Sequence, residues 1–224
     1  MSQTPRVVIV DYKMGNLQSV ANAFRFLGCE ASIVDNPSDL ASEMKNSGPN
    51  GPVKGLVLPG VGAFGMAMQN LRSQGMIEPL NEWVLDRKFP LLGICLGMQL
   101  LADRSDELGN HEGLGWIPGH VKKLDPKNDL RIPHVGWNTA TIVKQDPLFQ
   151  KSDPKPCYYF VHSFHFECAP ENVAATCDYG TPFVAAVQKD SIFATQFHPE
   201  KSQTHGLRIL RNFLNFAEGK VGRG

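Results

Sequence analysis

Two spacings of apolar residues organise the first half of this chain. Arg6 to Asp11 (R-V-V-I-V-D) is an unbroken β-branched run, the pattern of a parallel strand buried on both faces. Leu17, Val20, Ala21, Phe24 and Leu27 then recur at helical spacing, with Asn16 placed to cap the helix and Gly28 to stop it. Residues 30–34 read as a second strand and Ser38 as the start of a short helix. Residues 46–54 (N-S-G-P-N-G-P-V-K) read as an enlarged loop. Gly55–Leu58 is expected as a third strand, broken by Pro59-Gly60-Val61-Gly62. Helical patterns cover 63–72 and 76–87, and a further apolar strand leads into Cys95. Strand alternating with helix predicts an α/β fold on a parallel sheet.

The second half changes character. From about 116 to 197, short β segments are separated by Pro, Gly, Asn and Asp, which predicts antiparallel additions instead of further βα units. A closing helix follows Ser202, with Leu207, Leu210, Leu214 and Ala217 on one face. No internal repeat and no long linker divides the 224 residues, so one domain over 1–224 is expected.

Charge narrows the options. The 22 basic and 22 acidic residues balance, and this gives no reason to expect nucleic acid or an anionic membrane as partner. No apolar run reaches the roughly 18 residues of a membrane span, and Met-Ser-Gln-Thr-Pro-Arg has no signal-peptide character. Five cysteines, an odd number with no C-x-x-C pair, fit reduced thiols and a cytoplasmic location.

One cysteine has a special setting. In Phe89-Pro-Leu-Leu-Gly-Ile-Cys95-Leu-Gly-Met-Gln99, Gly93 and Gly97 flank Cys95 at −2 and +2, the thiol form of a strand–turn–helix nucleophile elbow. A side chain at either glycine would clash, and the helix N-terminus behind Cys95 is expected to favour its thiolate. Cys29, Cys157, Cys168 and Cys177 lack this setting and read as structural.

A thiol nucleophile needs a base and an orienting acceptor. His198-Pro199-Glu200 follows another strand-like run. In an extended segment residues 198 and 200 point the same way, so Glu200 can hold one ring nitrogen while the other faces Cys95. By itself H-P-E is a solvated turn; beside the elbow it supports a Cys-His-Glu triad. The Leu96 amide and the Gly60-Val61-Gly62 backbone are candidate oxyanion donors. Gln99, one turn after Cys95, can reach the polar end of a substrate. His162 and His165 point to opposite faces of an extended segment with no third ligand, so no metal and no cofactor is expected. His134, in Ile-Pro-His-Val-Gly-Trp-Asn, is either a core residue or part of a recognition loop.

Together the residues 93–99, His198-Pro199-Glu200 and the order Cys…His…Glu resemble class I (triad-type) glutamine amidotransferases. More narrowly, nearly the whole chain is similar to the glutaminase subunits of imidazole glycerol phosphate synthases. The marks are Met14-Gly15-Asn16-Leu17, residues 59–62, Pro133-His134-Val135-Gly136-Trp137-Asn138, residues 159–163, 185–188 and 196–202. The resemblance implies an open, mostly parallel, flavodoxin-like sheet. It implies that Cys95 attacks the glutamine carboxamide, that His198 moves protons and that Glu200 orients His198. Gln99, His162, Ser163 and Phe164 would hold the amino-acid end. Ammonia would pass to a (β/α)8 cyclase partner of histidine biosynthesis, with Asn16, Pro133, His134, Trp137 and Lys201 at or near the interface. Such a subunit would be idle when free, and rotation of a peptide in 60–62 would create the second oxyanion donor.

Alternatives are a paralogue serving another synthase such as one for surface sugars, a catalytically silent regulatory subunit, or a cysteine peptidase on a related fold. One departure stands out: Lys13 occupies a position that is often glycine in such sequences. A left-handed backbone there would cost about 1 kcal/mol.

Overall fold

The computed structural model describes residues 4–45, 51–127, 130–145 and 147–220. In chain order the first half runs β1 (Arg6–Val10), α1 (Leu17–Phe26), β2 (Glu30–Val34), α2 (Pro37–Lys45), β3 (Val53–Gly60), α3 (Phe64–Ser73), α4 (Ile77–Asn81), a π-helical turn over Glu82–Asp86, β4 (Leu91–Cys95) and α5 (Leu96–Gln99). The strands β5 (Arg104–Ser105), β6 (His111–Glu112), β7 (Gly119–Lys123), β8 (His134–Ile142), β9 (Cys157–His162) and β10 (Phe164–Cys168) follow. Then come β11 (Val173–Asp178), β12 (Pro182–Lys189), β13 (Ile192–Thr195) and α6 (Gln203–Ala217).

Nine strands form one sheet in the order β2-β1-β3-β4-β13-β12-β11-β8-β9, and β10-β7-β5-β6 form a second. Pairing is parallel from β2 through β13 and antiparallel beyond it. The chain passes from β1 to β2 on one side and to β3 on the other. This reversal opens a crevice at the carboxyl ends of β1, β3 and β4, where open α/β sheets hold their ligands. One face of the large sheet buries Phe24 of α1 and Ile209, Phe213 and Leu214 of α6. The other buries α3, α4 and Trp116 with Phe166 from the small sheet. Every residue of β1 and β4 is buried, which is why both read as unbroken apolar runs.

Local signals place the ends. Asn16 Oδ1 accepts from the Ser19 amide at 3.3 Å and caps α1. Asn36 does the same for α2 through the Asp39 amide at 2.9 Å. Of the expected 46–54 loop, 46–50 lie outside the described residues, and Val53 and Lys54 already belong to β3 because Arg6 pairs with Val53. The strand also continues through Pro59 to Gly60. Pairing with β1 ends at Ile9–Val57, so the proline's missing N–H breaks no ladder bond.

In α6 the buried face is Gly206, Ile209, Leu210, Phe213, Leu214 and Phe216. Leu207 and Ala217 sit at its edge, because Phe213 and Phe216 pack on Phe193 at 6.3 and 4.8 Å. Lys13 does take a left-handed backbone, φ 63°. Its ammonium pairs with Asp35 at 2.8 Å and Asp11 at 3.1 Å.

Candidate active site

Cys95 ends β4 with φ 55° and ψ −108°, a conformation L-residues rarely adopt, and is 5 % exposed. The flanking glycines are required to different degrees. A Cβ on Gly97 would lie 1.7 Å from the Leu58 carbonyl oxygen. One on Gly93 would lie 3.0 Å from Ala194 Cβ and from Gly97 O. The helix behind the cysteine is shorter than expected: α5 has four residues. One turn aligns too few peptides for a full macrodipole, so positive charge at Cys95 comes chiefly from a side chain instead.

That side chain is His198, 2 % exposed. Its Nδ1 bonds Glu200 Oε1 at 2.8 Å, and its Nε2 is buried without a hydrogen bond among the described residues. The pairing does not use the expected extended segment. Pro199–Lys201 is a 3-10 turn, and that turn brings Glu200 under the ring. The His198 amide donates to Tyr159 O at 2.9 Å, and its carbonyl accepts from Ser202 Oγ at 2.6 Å, fixing the backbone on both sides. Burial works against the imidazolium, but Cys95 and the Glu200 carboxylate outweigh it and push the His198 pKa up to about 10. By contrast, burial raises Cys29 and Cys177 to about 12 and Cys168 to about 11, leaving them as inert thiols.

A cavity of about 290 Å³ opens in front of Cys95, lined by Gly62, Gln99, Glu107, Pro133, Val161, His162, Ser163 and Phe164. Gln99 Nε2 donates to Phe164 O and to Gln196 Oε1, both at 3.0 Å, which leaves only its Oε1 for a ligand. Gln196 is fully buried, and its Nε2 lies 3.7 Å from Cys95 Sγ. Glu107 turns one oxygen to the Phe64 amide at 2.7 Å. The sequence assigns neither Gln196 nor Glu107 a place in the site. Gln196 heads the 196–202 segment but carries no expected role beside His198 and Glu200, and Glu107 lies in a charged turn.

The 60–62 segment has its donors turned elsewhere. The Val61 amide donates to Met14 O at 3.3 Å. Leu56 N–H bonds Pro90 O, and alternation along the ladder then turns Gly60 toward β4, with its carbonyl aimed at the Leu96 amide opposite Cys95. The Val61 donor is thus occupied by backbone, and Gly62 beyond it has φ 118°.

Asn16, Pro133, Trp137 and Lys201 are exposed, Trp137 by 48 %. His134 is not part of that surface. It is buried, stacked on Tyr179 at 4.0 Å and bonded through Nδ1 to His162 Nε2 at 3.1 Å. Alternation along β8 presents Val135, 56 % exposed, beside Trp137 instead. His162 and His165 sit on β9 and β10 and do not converge, and the described residues hold no cluster of three metal-ligating groups. No helix among them is long and apolar enough to cross a membrane.

A strained elbow cysteine and a buried His–Glu pair lie together at the end of this sheet. The family model for class I glutamine amidotransferases matches residues 8–216, and the chain belongs to that family. Within it, the chain is 52 % identical to imidazole glycerol phosphate synthase subunit HisH 1 of Campylobacter jejuni, over 92 % of this chain and 98 % of that one. It is 44 % identical to subunit HisH 2 of Vibrio vulnificus over 95 % of each. Among solved structures, a glutamine amidotransferase from Thermotoga maritima superposes with TM-score 0.60 at 18 % identity, covering 98 % of this chain and 86 % of that one. A PurLQS structure from Thermotoga maritima gives 0.71 at 18 % identity, covering 96 % and 99 %; both support the fold.

Proposed function

We propose that this chain is the glutaminase subunit of an imidazole glycerol phosphate synthase, acting in the cytoplasm as a single domain over 1–224. In this reading it pairs with a (β/α)8 cyclase and hands its ammonia over for histidine biosynthesis. The observation that carries the reading is the buried His198–Glu200 pair at 2.8 Å next to Cys95, which itself lines a cavity of about 290 Å³. The high similarity to subunits of that name supports the choice of partner.

The chemistry follows from the groups present. The Cys95 thiolate adds to the glutamine carboxamide carbon, and negative charge moves to the carboxamide oxygen. Imidazolium His198, held by Glu200, gives its proton to the departing nitrogen, and ammonia leaves a thioester. Neutral His198 then takes a proton from water, hydroxide adds to the thioester, and the γ-carboxylic acid leaves and loses its proton to solvent as glutamate, with thiolate and imidazolium restored. Gln99 Oε1 and Glu107 would receive the substrate ammonium, and the 162–164 backbone its carboxylate. The occupied Val61 donor supports an idle free subunit. Turning the Gly60–Val61 peptide would remove the Gly60 carbonyl from the Leu96 amide and bring in the Val61 amide, a gain of about 10²–10³ in rate per donor. Asn16, Pro133, Val135, Trp137 and Lys201 would face the cyclase, with His134 acting from behind them through His162. Glutamine turnover measured with and without the cyclase and its nucleotide tests this. A rise of two orders of magnitude or more is expected, and equal rates would reject the coupling.

A further inference from the structure

Tyr12 lies two residues past the end of β1, in the buried cluster that also holds Leu58 and Leu96. It is 1 % exposed, and its hydroxyl is buried with no hydrogen-bond partner among the described residues. The hydroxyl stands where a side chain on Gly60 would be: a Cβ built there lies 1.8 Å from it. The backbone that carries it is held on both sides. Asn70 Nδ2 holds the Tyr12 carbonyl at 2.9 Å, Gln74 Nε2 holds the Asp11 carbonyl at 3.1 Å, and Lys13 and Gly15 fix a positive-φ bend behind it. Burial, with a contribution from charge on Cys95, keeps the phenol protonated and therefore a donor.

The resting peptide and the orphan hydroxyl are complementary. When the Gly60–Val61 peptide turns, Val61 N–H leaves Met14 O and the Gly60 carbonyl leaves the Leu96 amide. A buried carbonyl without a donor would oppose that turn. We infer that the Tyr12 hydroxyl donates to the Gly60 carbonyl in the turned state, so that Tyr12 is a positioning residue for the active oxyanion site. The inference rests on the function proposed above. It makes the resting state carry an unsatisfied polar group that the active state satisfies.

Tyr12→Phe removes the hydroxyl and keeps the ring that fills the core. With cyclase and nucleotide present, kcat for glutamine is expected to fall about 5- to 30-fold, the weight of one buried hydrogen bond, with KM unchanged. The melting temperature of the free variant is expected to equal or exceed the wild type, because an unpaired buried donor has been removed. Full stimulated kcat in the variant would overturn the inference, as would a fall accompanied by a lower melting temperature or by a raised KM. A wild type that the cyclase does not stimulate would overturn the parent reading and this one with it, whereas a stimulated wild type with an equally stimulated variant overturns this one alone.

Discussion

Gly97→Ala is the most demanding substitution the elbow offers, and Gly93→Ala is its internal control. The added Cβ at 97 would stand 1.7 Å from the Leu58 carbonyl oxygen, which belongs to β3 in the middle of the large sheet. Backbone on both sides prevents a rotamer escape. Reaching the closest tolerated contact of 3.0 Å requires the turn and β3 to part by roughly an ångström. Overpacking of this kind costs about 1–3 kcal/mol, equivalent to a drop of about 3–10 °C in melting temperature for a chain of this size. The same movement separates Cys95 and Leu96 from Gly60, and a 1 Å misplacement is worth about 10² in rate. At Gly93 the added Cβ meets Ala194 Cβ and Gly97 O at 3.0 Å, so a loss of less than about 1 kcal/mol is expected. Calorimetric melting and glutaminase turnover of both variants, with cyclase present, form the assay. Equal melting temperatures for the two variants, or a Gly97→Ala enzyme within twofold of wild type, would refute the close-approach argument.

Other consequences are open to direct measurement. Glu200→Gln removes the charge that helps hold His198 near pKa 10, so the alkaline limb of the kcat/KM profile should move to lower pH, with kcat reduced on the order of 10³-fold; an unmoved limb would count against the pairing. Burial lowers His134 to about 4 and His162 to about 3, against 6.5 when unfolded. Below pH 6.5 the unfolded chain therefore binds protons that the folded chain does not, and stability falls as pH drops toward 4. His134→Gln should melt lower at pH 7 but with a shallower decline between pH 6.5 and 4.5; parallel curves would contradict the assignment. Trp137→Ala should weaken cyclase binding about 10- to 100-fold by titration with no change in melting temperature, and unchanged affinity would move the interface elsewhere.

What the sequence discloses is whatever depends on close neighbours. The Gly93–Cys95–Gly97 spacing shows the elbow because the motif is complete within five residues, although the atoms that forbid side chains there, Leu58 O and Ala194 Cβ, lie on other strands. The apolar runs of β1 and β4 show the buried strands for the same reason. Pairings set by a turn or by distant packing leave weaker traces. Glu200 reaches His198 through a 3-10 turn, which a two-residue spacing cannot distinguish from a strand. Gln196 meets Cys95 across 101 positions, and Glu107 enters the cavity only because β5 and β6 fold back against α3. The burial of His134 depends on strand phase: once β8 begins at 134, residues 135 and 137 must face outward.

In the proposed reaction, the polarity of Gln99 decides which glutamines this pocket admits. With both amide hydrogens committed to Phe164 and Gln196, it offers an acceptor, and Glu107 beside it offers another. Two acceptors suit a free ammonium and reject an acylated nitrogen, which is larger, uncharged and has a single hydrogen. On that reading, glutamine side chains in proteins and peptides would be excluded by charge as well as by the cavity's size, and a reactive thiol would leave the surrounding proteome's carboxamides intact.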